Sequence, residues 1–250
     1  MADKQKFPSE VIDLPSGGKV YSKDSPMSSG KIEIKYMTAK EEDILTSQNL
    51  ITKGVVIEKL IQSLIVTPGV NCDDLILGDK NAVMVAARIL AYGPEYEAEV
   101  QDPSTKQIVS HTFNLTECPF KKLPKGVRGN KFDVKLPISK ATVKFKILTG
   151  NDERLISKEL DAIKKSGSAV SPELTTRLKY SIIEVDGETE RPMINKFVDT
   201  MLSRDSLFLR KEMSKVSPDI IMESELQLGG KAVKVNIPMT VDFFWPSATG

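Results

Sequence analysis

The chain has 250 residues, 40% of them hydrophobic and 28% charged, with a formal net charge of +1. That composition suits a soluble globular protein of one or two domains and leaves no global field to draw nucleic acid or a membrane surface. No run approaches the ~18 apolar residues of a membrane span, no secretory signal is visible at the start, and Cys72 and Cys118 read as free thiols in a reducing compartment.

Residues 7–30 are rich in Pro, Gly and Ser, with turn signals between the short extended pieces Val11–Leu14 and Lys19–Tyr21. The segment has too few apolar residues for a core of its own. It reads as an extended arm over residues 1–30 lying on a surface, mobile in the isolated protein and ordered in an assembly, or else as a disordered leader.

Lys31–Met37 alternates Ile32, Ile34 and Tyr36 against charged neighbours, the pattern of a half-buried strand. Thr38-Ala39-Lys40-Glu41 matches a capping box, so the carboxylates Glu41, Glu42 and Asp43 belong to a helix start. Val55, Val56, Leu60, Ile61, Leu64 and Ile65 have helical spacing up to Pro68-Gly69, and Asn81–Tyr92 forms a second helix stopped by Gly93-Pro94. Tyr96–Val100 and Ile108–Leu115 predict a hairpin, and Lys135–Phe145 predicts one further extended segment.

After Thr149-Gly150-Asn151-Asp152, helical stripes return. They are Leu155, Ile156, Leu160 and Ile163, then Leu174, Leu178, Ile182 and Ile183 up to Asp186-Gly187, then Met193 to Leu202 and Leu207–Met213. Leu226–Val241 predicts a second hairpin around Gly229-Gly230. The fold class is α+β: two helical clusters with two hairpins and the arm, divided as 1–30, 31–148 and 149–250.

The closing strand runs through Val233, Val235, Ile237, Met239 and Val241 into Phe243-Phe244-Trp245-Pro246. Each aromatic side chain removed from water contributes roughly 1.5–3 kcal/mol, so this block must be anchored in the chain's own core or in a partner. Alternation places Phe243 and Trp245 inward and Phe244 outward, where it would serve as an interface anchor.

Catalytic and metal-binding patterns do not assemble. His111 stands alone, with no Cys or His at ligand spacing, and neither double glycine opens a phosphate loop. Neither a cofactor nor a small-molecule substrate is expected. Lys121, Lys122, Lys125, Arg128 and Lys131 form a basic loop with only Phe120 and Phe132 near it, so a solvated or protein-facing loop is favoured over a nucleic-acid site. In Arg204–Arg210, Arg204, Leu207 and Phe208 lie near one helical face. Either Ser203 caps this helix with Asp205 on its dipole, or the charged residues frame an apolar contact to another subunit.

Several short segments, in order along almost the whole chain, carry a resemblance. They are Ile12–Tyr21, Met37–Leu45, Ala91-Tyr92-Gly93, Leu148-Thr149-Gly150, Arg204–Arg210 and Phe243–Pro246. Together they resemble the baseplate hub and hub-assembly proteins of T-even-like contractile-tailed phages. Relatives in that family often carry Cys-x-x-Cys pairs in the two hairpins. Here the turns read Asp102-Pro103-Ser104-Thr105 and Leu226-Gln227-Leu228-Gly229, so no metal role carries over. The resemblance implies a non-enzymatic structural or assembly role in the virion tail baseplate, reached through the host cytoplasm, with other tail proteins as partners. The interface candidates are then Leu14, Pro15, Tyr21, Arg204, Asp205, Phe208, Arg210, Phe243, Phe244, Trp245 and Pro246. A nucleic-acid-associated protein using loop 121–135 is the alternative.

Overall fold

Strand alternation and helix caps set the architecture of the computed structural model, which describes residues 7–102, 105–167, 170–228, 231–239 and 241–244. β1 (Ser9–Asp13) pairs antiparallel with β2 (Lys31–Lys35), which turns Ile32 and Ile34 into the core. The capping box then starts α1 (Ala39–Thr46). The Glu41 carboxylate accepts from the Thr38 N–H at 3.0 Å and the Thr38 hydroxyl at 2.6 Å, and Lys35 Nζ lies 2.7 Å away. Burial works against this charge, but the Lys35 and Thr38 donors outweigh it and hold the carboxyl below its ordinary value. α2 (Gln48–Thr52) and α3 (Val56–Leu64) follow, and α3 buries Leu60, Ile61 and Leu64. α4 (Leu77–Tyr92) leads through Gly93 into the hairpin of β3 (Glu95–Gln101) and β4 (Ile108–Asn114), and Arg88 donates to the Gly93 and Glu95 carbonyls at the junction. The α+β class holds.

The middle of the chain builds a second unit. After the short β5 (Phe120–Lys121), the one extended segment expected over Lys135–Phe145 is two strands, β6 (Phe132–Lys135), which begins before it, and β7 (Thr142–Phe145). β8 (Ile182–Val185) completes an antiparallel sheet in the order β6-β7-β8. Helix α5 (Gly150–Lys165) lies against α6 (Glu173–Ser181), and α6, α7 (Arg191–Asp199) and α8 (Ser203–Val216) pack their apolar faces with the sheet. Ile182 and Ile183, expected to extend a helix, lie in β8, where Ile182 pairs with Phe145. Ile182 follows Leu178 at i, i+4, which fits a helix, but β-branched residues gain more from packing on a sheet.

The chain then returns to the first unit. β9 (Asp219–Ile220) pairs with β5, and β10 (Glu223–Leu228) pairs with β11 (Lys231–Asn236). One core takes Leu14, Ile34, Leu60, Val83 and Phe113 together with Ile220, Leu226, Val235, Ile237, Phe243 and Phe244. A second takes Leu136, Val143, Phe145, Leu178, Ile194 and Leu209. A small third cluster, Val20, Ile76, Leu123 and Ile147, includes residues of the arm and of the approach to α5.

Phe244 corrects the sequence expectation. Strand alternation ends at Asn236, and Val241–Phe244 forms a 3-10 turn. Successive side chains in such a turn are about 120° apart instead of 180°, so neighbouring rings can share one side. Phe243 and Phe244 are both 1% exposed, their rings 5.3 Å apart edge to face, and Phe243 also meets Tyr96 at 5.0 Å. Trp245 and Pro246 lie outside the described residues.

Candidate interaction sites

The arm is locked to α4 by a buried carboxylate. Asp79, in the first turn of α4, accepts from the Ser16 N–H at 2.9 Å, the Ser16 hydroxyl at 2.6 Å and the Tyr21 hydroxyl at 2.6 Å. The Tyr21 oxygen accepts in turn from the Ile76 N–H at 3.1 Å. Burial raises the Asp79 pKa. The Ser16 and Tyr21 donors offset this only in part, and Asp219 nearby adds to the rise. The Tyr21 hydroxyl is also pushed up, first by burial and then by Asp79. Gly18, at φ 75°, lets the loop fold back on residues 27–30, since a Cβ there would come 2.4 Å from the Ser28 carbonyl oxygen. Leu14 and Pro15, expected at contacts with a neighbour, are therefore buried within the chain, and Tyr21 is half-buried.

Asp205 makes a second clamp. Its carboxylate accepts from the Ile138 N–H at 2.8 Å and the Ser139 N–H at 2.9 Å, which ties the β6–β7 loop to the start of α8. Burial opposes the charge, yet the Ser139 and Ile138 N–H groups prevail and hold the carboxyl below its ordinary value. Asp205 is thus an internal fastener, and Ser203 does not cap the helix with its side chain. Arg204 and Arg210 are exposed, and Phe208 packs partly on the second core. Ile138, Leu202 and Leu207 remain exposed on or beside this clamp.

In the basic loop Lys122, Lys125, Arg128 and Lys131 are exposed, while Lys121 donates to the Ser214 carbonyl. Asn130 fixes the loop, its side chain both accepting from the Ile147 N–H and donating to the Ile147 carbonyl. Neither nearby ring is free for base stacking: Phe132 stacks on Phe145 at 5.4 Å and Phe120 packs on the first core. His111 is exposed and lies edge-on to Phe113. Burial pushes the Cys72 thiol up to about 11. Among the described residues no group of three or more His, Cys, Asp or Glu could hold a metal ion, and no helix is long and apolar enough to cross a membrane.

Between the two cores an open groove of about 680 Å³ runs past α6, α8 and the β9–β10 strands. It borders Arg210, one of the residues singled out in the sequence. The strand residues of its lining follow α8 directly, whereas the α6 residues Leu174 to Ser181 lie upstream of β8 and α7, and no sequence pattern brings the two together.

Asp79 and Asp205 each fasten a loop to a helix, the work of a structural scaffold. A family model described as T4 bacteriophage base plate protein matches residues 8–245. The chain belongs to this family: it is a T4-like phage baseplate protein, a structural component of the tail. No curated protein and no solved structure matches it.

Proposed function

We propose that the protein is a non-enzymatic hub or hub-assembly component of a contractile tail baseplate, assembled in the host cytoplasm and joined to neighbouring tail proteins. The observation that carries this reading is the family match over residues 8–245, together with the order of the hub-like segments along the chain. Contacts to neighbours fall on what the fold leaves outside: the α8 corner with Arg204, Leu207 and Ile138, and the arm's outward residues Phe7 and Val11. Phe243 and Phe244 serve the chain's own core and support the tail end from within. Small separate apolar patches rimmed by charge suit interfaces within a multi-protein assembly.

The test is a phage in which synthesis of this chain is blocked. The expected product is particles arrested before baseplate completion, restored by supplying the chain in trans. Normal contractile particles without it would overturn the reading. Mass spectrometry of purified virions then separates a permanent subunit, present in fixed stoichiometry, from a transient assembly factor, absent from the particle.

A further inference from the structure

We propose that the groove between the two cores seats a segment of a neighbouring tail protein that carries large apolar side chains beside a carboxylate. This rests on the baseplate reading above and names the partner chemistry of one surface. The floor combines both cores: Leu178 and Met213 from the helical unit, Met222 and Ile237 from the strands. An occupant would therefore bury apolar surface against both at once and fix their mutual placement.

Charge on the walls selects the occupant. Three cations line the groove, and two are already engaged: Arg177 pairs with Glu153 and with Glu173, and Lys121 donates to Ser214. Arg210, on the α8 wall, has no ion-pair or hydrogen-bond partner among the described residues. A guanidinium free beside an apolar floor recognises a carboxylate in two parallel bonds. Asp219 is occupied by Asn81 at 3.1 Å, whereas Glu223 on the strand wall stands against a run of acids, so one carboxylate among apolar residues fits better than an acidic tail. An independent feature lies in the same lining. Ser181 is 0% exposed, and its Oγ has no hydrogen-bond partner. A buried hydroxyl left unpaired is costly, which marks the groove wall as a place where the chain's own polar groups are incompletely matched.

The test places a photo-crosslinking phenylalanine derivative at Leu174, on the groove rim, and at Met193 on α7 as a control outside it, in phage-infected cells. The expected result is a crosslink from Leu174, several-fold above that from Met193, to a different tail protein at a segment with one Asp or Glu flanked by large apolar residues. Arg210→Glu should lower that crosslink about tenfold, with helix content and melting temperature unchanged. Lysine in place of the partner's acid should restore it. Crosslinking only to a second copy of this chain, indifference to Arg210→Glu, or no excess over Met193 overturns the groove assignment. Those outcomes leave the baseplate role standing if the blocked-synthesis phage still fails to assemble. Normal assembly without the chain removes both.

Discussion

Asp79 and Asp205 occupy equivalent places, each the third residue of its helix, each fully buried, each tying down a distant loop. They nevertheless sit on opposite sides of the ordinary carboxyl range. Asp205 faces two backbone N–H groups, fixed dipoles that can only donate, and the Ser139 side chain and Lys140 add to their pull. Asp79 faces one N–H and two hydroxyls in a deeper setting, with Asp219 nearby. A hydroxyl can rotate and accept from a protonated acid, so the arm lock tolerates a neutral carboxyl while the α8 clamp does not. Donors favour the charge at both sites, so it is the balance against burial that sets the side: burial outweighs them at Asp79 and they outweigh it at Asp205.

The harshest way to break the arm lock is at its base. A Cβ on Gly78 would fall 1.8 Å from the Pro218 carbonyl oxygen, so Gly78→Ala must drive α4 away from the strand that brings the chain back. The expected loss is about 3 kcal/mol or more in urea unfolding, and a loss below about 1 kcal/mol would show that this approach is slack. Asp79→Ala strands the Ser16 and Tyr21 donors and should cost about 3 kcal/mol. Trypsin should then cut the arm at Lys19 or Lys23 before it touches the second core, and an arm as resistant as in wild type would mean that Asp79 is not what holds it. Tyr21→Phe removes one donor and leaves the Ile76 N–H unpaired, for about 1–2 kcal/mol.

The finest comparison is in pH. Asp79 has a raised folded pKa, so its contribution is complete below the ordinary value of 3.8 and declines as pH rises through the folded value. Asp205 has a lowered one, so its contribution is present above 3.8 and is lost as pH falls through the folded value. Melting temperatures measured as variant minus wild type should therefore diverge. Asp79→Asn, always neutral, should be least damaging near neutrality relative to acid, and Asp205→Asn most damaging there. Parallel curves would show that the two clamps do not differ in charge.

The sequence carried the local half of this fold. Thr38 and Glu41 are three residues apart, so their capping box is written in one window, and both hairpins follow from alternation around Pro, Ser and Gly turns. The clamps are different in kind: Asp79 meets Ser16 across 63 positions, and Asp205 meets Ile138 across 67. No periodicity encodes such a pairing. What holds the arm is illegible for the same reason, since its few apolar residues, Leu14, Val20 and Met27, are buried against surfaces supplied from elsewhere. Phe244 was misplaced because extrapolated alternation assumes a strand that has already ended. In the groove, Arg210 stood out in the sequence, but the strand wall opposite it became visible only once the chain had folded back.

That return of the chain sets an order of events at the ribosome. Residues 9–114 emerge first, yet their core also needs Ile220, Leu226, Val235, Ile237 and the two phenylalanines, and Tyr96 waits for the Pro238 carbonyl to arrive from 142 positions downstream. The second core, spanning Leu136 to Leu209, has all its members earlier and is free to fold during synthesis. Prematurely terminated products would thus expose the first core while holding a finished second one, a state that proteases clear. Only chains read through to the aromatic pair can complete the first core.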